Sequence, residues 1–272
     1  MAEKITFLLF TYNEARRIEY VLRCFQPYGR IVVMDNHSTD DTVLIARRYG
    51  AEVYTHDHPG YVEEEHVAAN ALSKVSTDWV YWAYCDEILP KPLLLRLQEI
   101  AEEDRYRLVK IHRKNLHYGV EYHTFDSGGR SQRFFRKGYV DFTANRIHEM
   151  GRFVGTPDQV LDMPIEDAFS IFHCSTYNLR KFELAHSAYS DVEAGMIESF
   201  SAVNLVWGPV KWFLKHYVKK GGWRGGWGSF ILVMQYCFFY FNVHAKVWER
   251  EQGLSLEAIE SSYDRIKERL LD

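Results

Sequence analysis

Residues 79–87, Trp79-Val-Tyr-Trp-Ala-Tyr-Cys-Asp86-Glu87, leave this chain few folds to choose from. An apolar, aromatic run stops at two carboxylates, and Ile88-Leu89-Pro90 follows. A run of this length bounded by a breaker reads as a buried strand. Carboxylates at the carboxyl end of such a strand lie at the sheet edge, where open α/β folds bind ligands. Hard oxygen ligands there suit Mg²⁺ or Mn²⁺ holding a diphosphate. Taken alone, the segment is also compatible with a solvated strand end.

Two earlier segments have the same build. Lys4–Phe10 is strand-like and ends in Thr11-Tyr12-Asn13-Glu14, followed by helical spacing at Ala15, Ile18, Val21, Leu22 and Phe25. Arg30–Asp35 is a second strand, ending in Asn36-His37-Ser38-Thr39-Asp40-Asp41-Thr42. Ser38 or Thr39 is placed to cap the next helix, with Asp40 and Asp41 favourable in its first turn. Ala51–His56 reads as a third strand and His66–Val75 as a helix. Strands and helices alternate, and each strand delivers polar residues at its exit. That order predicts a parallel sheet with a ligand cleft along one edge.

Thr11–Glu14, Asp35–Thr42 and Asp86-Glu87, in this order and spacing, resemble the family 2 glycosyltransferases of GT-A fold. Further motifs narrow the resemblance: Arg133-Phe-Phe-Arg136, Asn145-Arg146-Ile147-His148-Glu149, His173-Cys-Ser-Thr-Tyr177 and a basic, aromatic C-terminal region. Together they are similar to small bacterial enzymes that extend lipopolysaccharide core and related surface glycans, over about residues 4–250. The resemblance implies inverting transfer of a sugar from a nucleotide diphosphate donor, UDP-linked, to a surface glycan or lipid-linked saccharide. It implies donor contacts from Thr11, Tyr12, Glu14, Asp35, Asn70, Cys85, Asp86, Arg133 and Arg136. Mn²⁺ or Mg²⁺ is expected on Asp86, with His173 completing the ligands or touching the diphosphate. Tyr12 is suited to stack on the base, and Asp35 to accept from a uracil N–H. Their plain alternatives are packing and turn formation.

Two positions depart from the family pattern. Asp-x-Asp-Glu is usual at the metal motif, and Tyr84 stands in place of its first Asp. One carboxylate fewer is expected to weaken cation binding. Ala69 stands where a basic residue often precedes the Asn corresponding to Asn70. The diphosphate charge then falls to Arg133, Arg136 or Arg146.

Arg107–Arg113 alternates like a half-exposed strand. Ser131–Arg136 and Tyr139–Phe142 read as strands joined by Lys137-Gly138, and Asn145–Glu149 as a loop. Inverting transfer needs a base for the acceptor hydroxyl's proton. Glu149 is the candidate and His148 the alternative; an ordinary His-Glu pair ordering the loop is the plain reading. His173 follows the apolar run Ala168–Phe172, where a structural hydrogen-bonder is the plain reading and a neutral imidazole ligand the functional one.

With 272 residues, 47% of them hydrophobic, the chain can bury a sizeable core, and its net charge of −4 gives no case for nucleic acid. Cys24, Cys85, Cys174 and Cys237 are widely spaced, as expected of small buried hydrophobes in a reducing cytoplasm. The N-terminus enters a strand directly, with no expected signal peptide.

The expected catalytic domain spans 1–177, with a nucleotide-sugar half at 1–90 and an acceptor half at 91–177. A helical region is expected over 178–272. Trp207, Trp212, Trp223, Trp227 and Trp248 fall there, interleaved with Lys211, Lys215, His216, Lys219, Lys220 and Arg224. That composition belongs to a membrane interface. The apolar run Ser229–Val243 is shorter than the roughly 20 residues of a spanning helix, so peripheral attachment at the cytoplasmic membrane face is expected. Packing within the chain or a homo-oligomer contact through these helices is the alternative. Leu254–Leu271 reads as a final amphipathic helix. Two rival functions remain: a nucleotide-sugar-binding protein without transferase activity, suggested by Tyr84, and a nucleotidyltransferase. The latter is disfavoured because Thr11–Glu14 is not a Gly-rich basic loop.

Overall fold

The computed structural model describes residues 3–57, 65–122, 129–143 and 150–271. It begins with the expected alternation: β1 (Ile5–Thr11), α1 (Ile18–Phe25), β2 (Arg30–Asp35), α2 (Thr42–Arg48), β3 (Glu52–Thr55), α3 (Glu65–Ser73) and β4 (Trp79–Tyr84). Next come β5 (Glu87–Ile88), α4 (Lys91–Glu103), β6 (Leu108–His117), β7 (Val120–Glu121) and β8 (Arg130–Arg136). β9 (Val140–Asp141), β10 (Arg152–Phe153), β11 (Val160–Asp162) and β12 (Ile171–Thr176) follow. Helices α5 (Leu179–Met196), α6 (Ala202–Phe213), α7 (Gly226–Glu251) and α8 (Leu256–Leu271) make up the rest. The chain divides into two compact units between Ser175 and Thr176, with Tyr122 counted in the second.

In the first unit the sheet order is β3-β2-β1-β4-β8-β6-β12-β5. β3, β2, β1 and β4 run parallel, β8 is antiparallel to both β4 and β6, and β12 is antiparallel to β5. This mixed α/β sheet, parallel through its first half and flanked by helices, is the GT-A arrangement that the resemblance implied. Strands from both expected halves share it.

Side chains of the central strands alternate between two cores. Phe7, Leu9, Val33, Trp79 and Tyr81 pack with α1 and α4 on one face. Leu8, Val32, Met34, Val80 and Trp82 pack with α3 on the other. The strands read as continuous apolar runs because both sheet faces are covered. Phe7 stacks on Phe25 of α1 at 4.3 Å, and Trp79 on Phe134 of β8 at 4.6 Å. The parallel register sets Thr11 beside Asp35 and Phe10 beside Tyr84. The polar exits of β1, β2 and β4 therefore share one edge.

Three local expectations change. α2 starts at Thr42, past Ser38 and Thr39, which bond to Asp35 and Asn13 instead. The strand read over Arg107–Arg113 continues to His117. The apolar run Ser229–Val243 is the middle of a 26-residue helix, α7. By length and composition alone, Gly222–Glu251 is long and apolar enough to cross a membrane, contrary to the expected shortness of this segment. The helix continues through residues 226–228 before the apolar run and through the largely polar 244–251 after it, which a hydropathy reading does not register. In the second unit α7 packs against α5 and α6 and buries Leu232, Val233, Cys237, Phe239, Val243 and Val247.

Candidate active site at the carboxyl edge of the sheet

The exits of β1 and β2 are tied into one knot. Thr11 is buried and its Oγ1 donates to Asp35 Oδ1 at 2.8 Å. Asp35 also accepts from Ser38 Oγ at 2.6 Å and from Ser38 N at 2.9 Å. These three donors occupy three of the roughly four acceptor positions of a carboxylate. Asn13, in the left-handed region at φ +54°, accepts from Thr39 N at 2.8 Å, while its own N donates to Ser38 Oγ at 2.8 Å. Asn tolerates that backbone better than most residues. Glu14 N donates to Thr42 Oγ1 at 2.7 Å, and Ala15 N to Asp40 Oδ2 at 3.1 Å. Ser38 thus closes the loop on Asp35 and does not cap a helix. Asp40 meets the first turn of α2 instead, accepting from Thr42 N at 3.0 Å. Beside the knot Tyr12 is 59% exposed.

Past β4 the chain makes a short turn, and β5 pairs with β12 so that Glu87 lies opposite His173. This return brings His173 Nε2 to 3.2 Å from Asp86 Oδ2, while His173 Nδ1 meets Asn115 Oδ1 at 2.7 Å. Cys174 N donates to the Asp86 carbonyl at 2.8 Å. Burial works to raise the Asp86 pKa. The hydrogen bond and charge of His173, then Arg17 and Arg113, outweigh it and hold the carboxyl at about 2. An ionised carboxylate and an imidazole converge here, both part-exposed, and the far nitrogen of the ring is fixed by Asn115. A hard oxygen, a borderline nitrogen and an orienting partner behind it fit Mn²⁺ or Mg²⁺. Among the described residues no third His, Cys, Asp or Glu joins them, which leaves the remaining positions to ligand oxygens.

Glu87 turns the other way. It is 1% exposed and accepts from Arg133 Nη2 at 2.8 Å, with Arg133 itself 3% exposed. The two adjacent carboxylates therefore diverge: Asp86 faces the edge and Glu87 the interior. Tyr84, at the position of the missing family Asp, lies under the Arg133 guanidinium at 4.6 Å, and its OH meets Trp82 Nε1 at 3.3 Å.

Several expected contacts need correction. Arg133 is buried on Glu87 and is not presented to a diphosphate. Arg136 pairs in register with Trp79, at the start of β4, and binds Asp104 and Asp78 (3.5 Å). That is the opposite edge of the sheet, roughly 20 Å along the strands from Asp86. The Cys85 side chain belongs to the core, and burial pushes its thiol well up. Thr11 has its hydroxyl committed to Asp35, and Asn70 meets His56 at 3.4 Å. Glu14 is paired with Arg17. Glu149 and His148, with Asn145 and Arg146, lie outside the described residues. Sequence reasoning missed Asn115, Arg17 and Arg113. Asn115 sits on a strand whose partner is 58 residues away, so no local pattern marks it.

A sequence model described as Glycosyl transferase family 2 matches residues 6–152. An uncharacterized glycosyltransferase of Rickettsia bellii is 25% identical over 285 residues, covering 97% of this chain and 92% of that protein. One from Mycobacterium tuberculosis is 36% identical over 71 residues, 26% of this chain and 33% of that protein. Among solved structures, glucosyl-3-phosphoglycerate synthase from Mycobacterium tuberculosis, in complex with Mn²⁺, uridine diphosphate and glucosyl-3-phosphoglycerate, is 26% identical. That match covers 43% of this chain and 45% of the synthase, with a TM-score of 0.33. The chain thus spans less than half the length of the synthase.

Proposed function

The chain belongs to glycosyl transferase family 2 and is a glycosyltransferase, and we propose that it moves a sugar, with inversion, from a UDP-linked donor to a hydroxyl of a surface glycan or lipid-linked saccharide. The observation that carries this reading is the Asp86–His173 pair, 3.2 Å apart at the sheet edge. The β1–β2 knot, with Tyr12 exposed beside it, opens on the same edge.

Asp86 and His173 are the residues that would hold a divalent cation. When bound, such an ion supplies positive charge to the diphosphate as the bond to the sugar breaks. Asn115 keeps the imidazole turned toward Asp86. Tyr12 stacks on the base, and the remaining acceptor position of Asp35 takes a uracil N–H. Arg17 and Arg113, 25% and 34% exposed, are the cations whose charge Asp86 feels. They replace Arg133 and Arg136 as partners for phosphate oxygens.

Thermal denaturation with UDP-, GDP-, CMP- and dTDP-sugars, each with and without Mn²⁺, tests the donor reading. A UDP-sugar plus Mn²⁺ should raise the melting temperature, since a ligand at about 100 times its Kd adds roughly 2.7 kcal/mol to the native state. A shift with none of the four classes would remove the nucleotide-sugar donor.

Glu149 is the proposed base that takes the acceptor hydroxyl's proton as its oxygen attacks the anomeric carbon. Glu149→Gln keeps the shape and removes the proton acceptor. Turnover should fall about 10²-fold or more with donor affinity unchanged. A loss of a few-fold moves the role to His148.

A further inference from the structure

We propose that the outward face of α6, with the turn leading into α7, is a docking surface for a bilayer containing anionic lipid. This partner goes beyond the donor chemistry and rests on separate residues. α6 reads Ala-Val-Asn-Leu-Val-Trp-Gly-Pro-Val-Lys-Trp-Phe, yet none of its residues is buried. A helix this short draws its stability from packing an apolar face. Its inner side meets α7, where Cys237 Sγ lies 3.4 Å from the Pro209 carbonyl and Trp212 packs on Tyr240 at 4.9 Å. Val203, Val206, Trp207, Val210 and Leu214 recur on the other side at helical spacing, and all are exposed. An apolar stripe of this size left to water marks an interaction surface.

The turn that follows adds aromatic anchors. Gly221 has φ +73°, and a Cβ on Gly222 would meet the His216 carbonyl oxygen at 2.7 Å and Tyr217 Cα at 2.9 Å. Glycine at both positions lets the backbone double back tightly. Trp223 and Trp227 beyond it are 56% and 80% exposed. Trp212, expected as an anchor, instead stacks on His216 at 3.9 Å and faces inward.

Charge selects the occupant. Residues 199–248 contain no Asp or Glu, whereas Lys211, Lys215, Lys219, Lys220 and Arg224 are all exposed there. Trp with Lys and Arg at one surface is the chemistry of an interface with anionic headgroups. A second copy meeting this face through a two-fold axis would set the same cations against each other, which opposes association. Lying on the membrane fits better than crossing it. α7 packs along α5, which carries Glu183, Asp191 and Glu193, and Lys246 of α7 is paired with Asp191 at 2.5 Å. A spanning α7 would draw those charges into hydrocarbon.

Flotation of the full chain with phosphatidylcholine vesicles, with and without phosphatidylglycerol, tests this. The anionic vesicles should bind about tenfold more tightly or better at low salt, and high salt should remove the preference. Quenching of tryptophan fluorescence by lipid brominated in its acyl chains should accompany binding. Lys215→Gln, Lys219→Gln, Lys220→Gln and Arg224→Gln together should lose the anionic preference. Trp207→Ser, Trp223→Ser and Trp227→Ser together should lose the quenching, since these are the exposed tryptophans of the docking face. Both sets change exposed residues, and an unchanged melting temperature will show that each variant is folded. The proposal is overturned if wild-type chain stays with the soluble fraction at low salt. It is equally overturned if the chain forms a dimer that Val203→Ser with Trp207→Ser dissociates, because the stripe is then a self-interface.

Discussion

Replacing Asp86 with alanine should lower turnover about 10³-fold or more, because several kcal/mol of charge stabilisation at the leaving diphosphate goes with the carboxylate. Mn²⁺-dependent binding of the donor, followed by calorimetry, should disappear with it. The fold should survive. The side chain is 27% exposed, and the backbone carbonyl that Cys174 N meets at 2.8 Å is unchanged. Asp86→Asn, which keeps the shape and loses the charge, should behave like the alanine variant. An excess of chelator should reproduce the loss in the wild-type enzyme. Activity lost in Asp86→Ala but undiminished in chelator would mean that the carboxylate acts without a metal. Full activity of Asp86→Ala would remove the assignment altogether. Mildly acidic solution should leave the Asp86 carboxylate itself ionised. With its folded value held at about 2, Asp86 contributes stability above the ordinary carboxylate range and loses it only as pH falls through that value.

The strands that place this site were legible because burial on both faces writes an unbroken apolar run into β1, β2 and β4. The shared edge was legible for the same reason, since each run ends where polar residues begin. Roles that depend on direction or on distant partners were not. β8 is antiparallel to β4, so its last residue, Arg136, lies at the amino edge of the parallel strands, opposite Trp79. The sequence of a strand does not state its direction in the sheet. Ser38 was read as a cap because caps and loop closures draw on the same short hydroxyl side chains. Only the approach of Asp35, Asn13 and Thr11 separates the two uses. Trp212 and Trp207 look equivalent by composition, and the helical period turns one inward and the other out. Asp86 and Glu87 diverge because Asp86 lies in the turn after β4, whereas Glu87 opens β5 and is held by its pairing with β12.

Arg133→Met should destabilise the protein by about 3–5 kcal/mol, the cost of leaving one member of a buried ion pair uncompensated. Glu87 and Arg133 are 1% and 3% exposed and 2.8 Å apart. Burial opposes the charge on Arg133, and the carboxylate of Glu87 outweighs it, holding the guanidinium further toward its charged form. With Arg133 gone, the cation left near Glu87 Oε1 among the described residues is Arg113 at 3.6 Å, and no described residue hydrogen-bonds Glu87 Oε2. Chemical unfolding should read the loss, and the melting temperature should fall by roughly 10 °C. Glu87→Leu alone should also destabilise, by leaving Arg133 buried without its partner. The double variant should regain most of the loss, because an apolar pair of similar volume carries no desolvation penalty. A cost below about 1 kcal/mol for Arg133→Met, well under that of a broken buried pair, would show that water or Arg113 compensates Glu87. The double variant then separates stability from positioning. Glu87 lies opposite His173 in the β5–β12 pairing and next to Asp86 in the chain, so the buried pair fixes the strand on which both candidate ligands depend. A stable double variant with depressed turnover would assign the pair to holding that strand in place, and unchanged turnover would confine it to stability.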